Sequence, residues 1–150
     1  MFSVPQIEWK LNGYGYSRRI RGMPKRENKK TIPGDWLYMT PEDVNIRQLK
    51  DVLEEASYEV EIWEDAGVLE ILLKEKSSMD VETASIHPKD TITQQFANAH
   101  QVKKVFLVTF QPDDYEDAER VMKAVTGKFG GFFCGDTEDF TPVVSGQSEE

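Results

Sequence analysis

Two short acidic stretches follow two predicted strands in the second half of the chain, at 104–110 and 131–134. If those strands are parallel neighbours, both stretches leave the same edge of the sheet. Carboxylates that converge there can hold Mg²⁺ or Ca²⁺ through hard oxygen ligands, or serve as a general acid and base. The residues that would do so are Asp113, Asp114, Asp136 and Asp139.

A structural interpretation of the same acids competes with the chemical one. Asp113 can cap a helix, Gly135-Asp136 can form a turn, and Glu138 and Asp139 can be solvated. No spacing among them matches a known metal-binding loop such as the EF-hand. The structural interpretation is therefore favoured, and no cofactor is predicted.

A basic segment at 18–30 is the second candidate site. It carries seven bases against one acid, a local charge of +6, which leaves −15 for the rest of a chain whose total is −9. These cations could bind phosphates, and the nearby Tyr14 and Tyr16 could stack on a base. The acidic remainder would repel a nucleic-acid backbone, so nucleic acid is disfavoured as a partner. The anion-binding candidates are Arg18, Arg19, Arg21, Lys25 and Arg26.

Two other uses of the basic segment remain open. It can be a solvated loop, or it can attach to the acidic body of another copy and favour a homo-oligomer.

The histidines and the cysteine give weak signals. His87 and His100 have no cysteine near them in sequence, which makes metal binding by this pair unfavourable. Cys134 is the single cysteine, which excludes an internal disulfide and favours a buried, inert thiol. We expect a reducing, cytoplasmic location, because the N-terminus also lacks a signal-peptide pattern and no apolar run spans a bilayer.

The elements that position these residues mix strands and helices without strict alternation, which predicts an α+β class. We expect one domain over 1–144 and a flexible polar tail at 145–150. Its mostly antiparallel twisted sheet would carry two or three helices and a C-terminal strand–helix–strand unit. Strands are predicted at 6–11, 14–20, 35–39, 58–63, 68–74, 79–86, 104–110 and 131–134, and helices at 41–56, 90–99 and 114–126.

Particular residues set the predicted helix ends and apolar faces. Thr40 should cap the first helix by accepting from the Asp43 amide. Ile92, Phe96 and Ala99 are the apolar positions of the second helix. The third helix should be capped by Asp113 and should end at Gly127. Four of its residues should face the core, namely Tyr115, Ala118, Met122 and Val125.

The hairpin at 58–74 is the clearest strand signal. Tyr58, Val60 and Ile62 alternate with Glu59 and Glu61, which predicts a sheet with one wet face. Core packing is the default for each of the three tryptophans, Trp9, Trp36 and Trp63. Trp63 is the one expected to be exposed, because it falls on the face opposite Val60 and Ile62. An exposed tryptophan would mark an interface.

The function favoured by these patterns is protein binding without catalysis. A small, acidic α+β domain with no catalytic motif resembles bacterial immunity proteins in composition and size. That resemblance implies a bacterial, cytoplasmic protein that neutralises a basic partner by charge complementarity. The predicted binding residues are Glu59, Glu61, Trp63, Glu64, Glu70, Asp136, Glu138 and Asp139. The alternative is a metal-dependent enzyme that uses the acidic loops at 113–114 and 136–139.

Overall fold

Antiparallel pairing connects all the strands in the described residues, 7–8 and 32–146, of the computed structural model. Seven strands form a continuous sheet in the order β3-β4-β5-β6-β2-β7-β8, and β1 pairs with the far end of β5. The predicted α+β class and twisted antiparallel sheet are confirmed. The strands are β1 (Ile7–Glu8), β2 (Asp35–Thr40), β3 (Val60–Trp63), β4 (Val68–Leu72), β5 (Ser78–Ile86), β6 (Lys104–Thr109), β7 (Phe132–Gly135) and β8 (Val143–Val144).

Three α-helices join these strands: α1 (Ile46–Glu55), α2 (Thr91–Ala99) and α3 (Tyr115–Phe129). The main core lies between one face of the sheet and α1 with α3. A smaller cluster on the opposite face packs sheet residues against Phe96 of α2 and Phe140. The helices thus cover at least part of each face of the sheet. Within the described part of the chain, no helix combines the length and apolar character needed to cross a bilayer.

Strand β2 is the buried centre of the sheet. It pairs with β6 on one side and β7 on the other, and Trp36 to Thr40 are all buried. Trp36 and Tyr38 face the main core, whereas Leu37 and Met39 face the smaller cluster. A strand that is apolar on both sides is expected where both faces of a sheet are covered.

The C-terminal strand–helix–strand unit is present as β6-α3-β7, with one correction. Both β6 and β7 run antiparallel to β2, so they are parallel to each other, but β2 lies between them. The conditional expectation of adjacent parallel strands is therefore wrong. Strand β2, far away in sequence, inserts between them, and the local pattern at 104–134 contains no signal for that insertion.

The start of the first helix differs from the prediction. The helix begins at Ile46 with Asn45 as its cap, and Asn45 and Gln48 form a reciprocal capping box. Thr40 is instead the buried last residue of β2. Its hydroxyl donates to the Phe129 carbonyl and accepts from the Glu42 amide. A threonine–proline pair after an apolar run therefore ended a strand here rather than starting a helix.

The other two helices also differ in detail. Asp114, not Asp113, precedes α3, after a 3₁₀ turn at Pro112–Asp114, and α3 runs past Gly127 to Phe129. Its inward positions are confirmed, since Ala118, Met122 and Val125 are buried and the half-buried Tyr115 stacks on Trp36 of the main core. Helix α2 starts after Asp90, which accepts from the Thr93 amide.

The buried face of α2 matches the prediction at Phe96, which packs in the smaller cluster, but not at the other two positions. Thr93 and Ala97 are buried there, while Ile92 and Ala99 are exposed.

The remaining predicted elements lie mostly outside the described residues. Of the strand at 6–11 only Ile7–Glu8 is described, and the strand at 14–20 and the basic segment fall outside.

At the C-terminal end, the Gly146 amide donates to the Thr126 hydroxyl at 2.6 Å. The chain therefore stays attached to α3 through residue 146, one residue beyond the start of the predicted tail.

The link between α3 and β7 is a pair of glycines that lets the backbone reach Tyr38. Gly130 and Gly131 both have positive φ, 74° and 77°. A side chain on Gly131 would overlap the Met39 carbonyl oxygen and lie 2.7 Å from Thr40 Cα, whereas one on Gly130 would meet nothing within 4 Å. The close approach allows the Tyr38 hydroxyl to donate to the Gly130 carbonyl at 2.8 Å. Burial raises the pKa of that hydroxyl to about 12, so it remains a donor.

Gly131→Ala should therefore destabilise the fold far more than Gly130→Ala. The backbone strain of a non-glycine residue at positive φ costs about 1–3 kcal/mol in either variant. Overlap with the backbone of β2 adds about 1–3 kcal/mol for Gly131→Ala alone. Urea unfolding of both variants measures the difference, and equal losses would contradict the close approach of β2 and the glycine pair.

Candidate protein-binding face

The β3–β4 hairpin places the predicted binding residues at one edge of the sheet. Val60 pairs with Ile71, Glu61 with Glu70, Ile62 with Leu69 and Trp63 with Val68. Because side chains alternate along a strand, Val60 and Ile62 turn toward the main core while Glu61 and Trp63 turn to the other face. Trp63 is 52% exposed, so its predicted exposure is confirmed. Trp36, in contrast, is buried in the core as predicted.

Three carboxylates lie side by side across this hairpin and the next strand. Glu61 of β3 pairs with Glu70 of β4, and Glu70 pairs with Asp80 of β5. We call Glu61, Glu70 and Asp80 the acidic row. Like charges directly opposite each other destabilise a sheet, and β3, β4 and β5 contain no Lys or Arg to interleave with them.

Strand pairing connects the acidic row across the sheet to the acidic loop at 136–139. Asp80 pairs with Thr109 of β6, and Thr109 pairs with Asp35 of β2. Beyond Asp35 the line reaches Asp136, whose amide donates to the Asp35 carbonyl at 3.0 Å. Sequence reasoning missed Asp80 and Asp35. Asp80 lies on β5, which follows β4 in the chain and pairs with it, whereas Asp35 is aligned only by the pairing of β2 with the distant β6.

Two apolar side chains flank the acidic row. Trp63 lies on one side, and its indole Nε1 donates to Glu70 Oε1 at 3.0 Å. Leu72, which is 43% exposed, lies two residues beyond Glu70 on the other side. Glu59 is exposed and adjoins Leu72, because the Leu72 amide donates to the Glu59 carbonyl. The face thus combines an aromatic anchor with surrounding negative charge.

Burial and a neighbouring charge raise the pKa of Asp80 above its ordinary value of 3.8. Desolvation by burial is the larger cause, and the Glu70 carboxylate is the second. Although the residue as a whole is exposed, its carboxylate is therefore held in a setting that disfavours the charge.

The other predicted binding residues have structural partners. Glu64 lies in the hairpin turn and forms an exposed ion pair with Arg47 at 2.6 Å. Asp139 accepts from the Thr141 and Thr137 hydroxyls at 2.7 and 3.1 Å. Those hydrogen bonds lower the pKa of the Asp139 carboxyl, the one from Thr141 most. Glu138 is exposed in the same loop.

The residues of the alternative metal site are not brought into one cluster. Asp113 and Asp114 follow β6, and Asp136 and Asp139 follow β7, so both loops do leave the same end of the sheet, on either side of β2. Among residues 7–8 and 32–146, no three His, Cys, Asp or Glu side chains are arranged to share an ion. The anion-binding candidates at 18–26 lie outside the described residues.

The histidines and the cysteine take structural positions. His87 Nδ1 accepts from the Lys89 amide, and the His100 ring packs against Phe96 and Phe132. Cys134 is buried in the smaller cluster. A shallow groove of about 300 Å³ opens beside the end of β5, and Glu82, which is 8% exposed, has the only carboxyl side chain among its described lining residues.

Comparison with protein families, with curated proteins and with solved structures returns no match. The function therefore has to be inferred from the geometry of this face.

Asp80→Asn should stabilise the protein at neutral pH. Because the folded-state pKa of Asp80 is raised, the folded state binds more protons than the unfolded state between pH 3.8 and that raised pKa. The stability that Asp80 contributes is thus complete below pH 3.8 and is lost as the pH rises through the folded pKa. We expect the advantage of the variant to be largest at pH 7 and to shrink as the pH falls.

The matched control is Asp51→Asn, which removes one charge from an exposed position of α1. Urea unfolding across the pH range measures both variants. An equal gain from the two substitutions would show that total charge, rather than the acidic row, causes the effect.

Proposed function

We propose that this chain is a non-catalytic protein-binding domain that takes a basic partner on the outer face of β3, β4 and β5. The observation that carries the proposal is the acidic row beside the exposed Trp63. A row of like charges costs stability unless a cation compensates it, and a basic partner supplies that cation. Trp63 adds the kind of aromatic anchor that often dominates the binding energy of an interface.

An immunity-type role fits this proposal. Such a protein neutralises a basic toxin in a bacterial cytoplasm, where a long-range negative field speeds association. The support is the charge of the chain, −9 in total, and the concentration of carboxylates on one face. The predicted binding surface also includes Asp136 and Glu138, in the loop after β7.

A pair of charge-reversed proteins tests the proposed face. Glu61→Lys with Asp80→Lys reverses two ends of the acidic row, and Asp51→Lys with Glu55→Lys makes the same change of charge on α1. We expect wild type and the α1 variant to capture the same protein from a lysate of the native host at physiological salt. The acidic-row variant should lose it and remain folded, because each new lysine lies opposite Glu70.

Trp63→Ala is a third variant for the same capture experiment, and it leaves the charge of the protein unchanged. Loss of a buried interface tryptophan costs about 2 kcal/mol or more of binding free energy. The fold itself should lose little, because Trp63 is already 52% exposed. Capture that is weakened equally by both charge-reversed proteins, or unaffected by Trp63→Ala, would contradict this face as the binding site.

Thermal melting with Mg²⁺, Mn²⁺ or Ca²⁺ separates the proposal from a metal-dependent enzyme. A metal bound by the loops at 113–114 and 136–139 would stabilise the fold by roughly 2–4 kcal/mol at saturating excess. We expect no such shift. A shift that Asp136→Asn abolishes would favour the enzyme, and the binding proposal would then need a different site.

A further inference from the structure

We propose that the partner binds as a basic, extended segment that adds an antiparallel strand to the open edge of β3. This inference rests on the proposed function and names the form of its partner. Within residues 7–8 and 32–146, β3 has β4 as its hydrogen-bonded neighbour and ends the strand order. An edge strand of this kind presents main-chain donors and acceptors to another chain.

The pairing with β4 determines which main-chain groups face the open edge. The Leu72 amide donates to the Glu59 carbonyl, so Glu59 and Leu72 form a hydrogen-bonded pair. Such pairs alternate along an antiparallel ladder, and the next ones are Glu61 with Glu70 and Trp63 with Val68. The N–H and C=O groups of Val60 and Ile62 therefore point to the side of β3 opposite β4, outward from the edge of the sheet.

The two faces of β3 fix the side-chain pattern of an added strand. Val60 and Ile62 are half-buried at the margin of the main core, so apolar residues opposite them would extend that core. Glu59 and Glu61 lie on the other face together with Trp63, where basic residues would pair with the carboxylates and stack on the indole. The matching segment alternates apolar and basic residues.

Charge disfavours pairing of β3 with the β3 strand of a second copy. Antiparallel pairing of two β3 strands would place Glu59 and Glu61 of both copies on one face, next to Glu70. Like charges across strands are destabilising, and charged edge strands commonly prevent pairing with an identical edge. The same glutamates favour a strand of opposite charge.

A synthetic peptide, acetyl-TKVKVKT-amide, tests the added strand directly. In antiparallel register its valines face Val60 and Ile62, and its lysines face Glu59, Glu61 and Trp63. N-methylation of the two valines removes the N–H groups that would donate to β3. N-methylation of two lysines instead changes N–H groups that point away from β3. The two methylated peptides have the same composition and charge.

Isothermal titration at low salt should show that valine methylation weakens binding on the order of tenfold or more, because two main-chain hydrogen bonds are lost. Lysine methylation should leave the affinity near that of the parent peptide. Amide chemical shifts of Val60 and Ile62 should move with the parent peptide.

Equal affinities for the two methylated peptides, or no binding by the parent, would overturn the added strand. The proposed function would survive that result if the charge-reversed pair still discriminates the host partner. Loss of that discrimination would overturn the proposed function instead, whatever the peptides do.

Discussion

The register of β5 between β4 and β6 decides which side chains share a face. Met79 and Val81 enter the main core because Asp80 and Glu82 point the other way. A slip of one residue would turn Asp80 toward the main core and Met79 and Val81 away from it, so the core itself holds the register in place. The acidic row therefore follows from the same pairing that builds the hydrophobic core.

This constraint explains how a costly arrangement of charge can persist. Each directly opposed pair of like charges costs a few tenths of a kcal/mol to about 1 kcal/mol, whereas burying one large apolar side chain contributes about 1.5–3 kcal/mol. Leu69, Ile71 and Met79 are fully buried beneath the same three strands. The burial of these side chains can thus offset the cost of the acidic row several times over.

The sequence was sufficient to predict the features that depend on neighbouring residues. Alternation at 58–63 located β3 and showed that Trp63 lies opposite Val60 and Ile62. It could not show that Asp35 lies in line with Asp80 and Glu70, because that alignment depends on the pairing of β6 with β5 and with β2, and β2 is distant from both in the chain. The start of α1 was wrong for a similar reason. Thr40 is held by the carbonyl of Phe129, a tertiary contact that local capping rules do not include.

The two halves of the outer face differ in what covers them. Over β6, β2 and β7, Phe96 of α2 stacks on Phe140 at 3.9 Å and closes the smaller cluster. Over β3 and β4, Trp63 and Leu72 stay exposed among carboxylates. A solvent-exposed face with no binding role would be more stable with lysines between its glutamates, because opposite charges on neighbouring strands attract. Within the described residues, the acidic row beside an exposed tryptophan is instead an arrangement that the proposed basic partner would complete, and the edge of β3 opposite β4 is where that partner would pair.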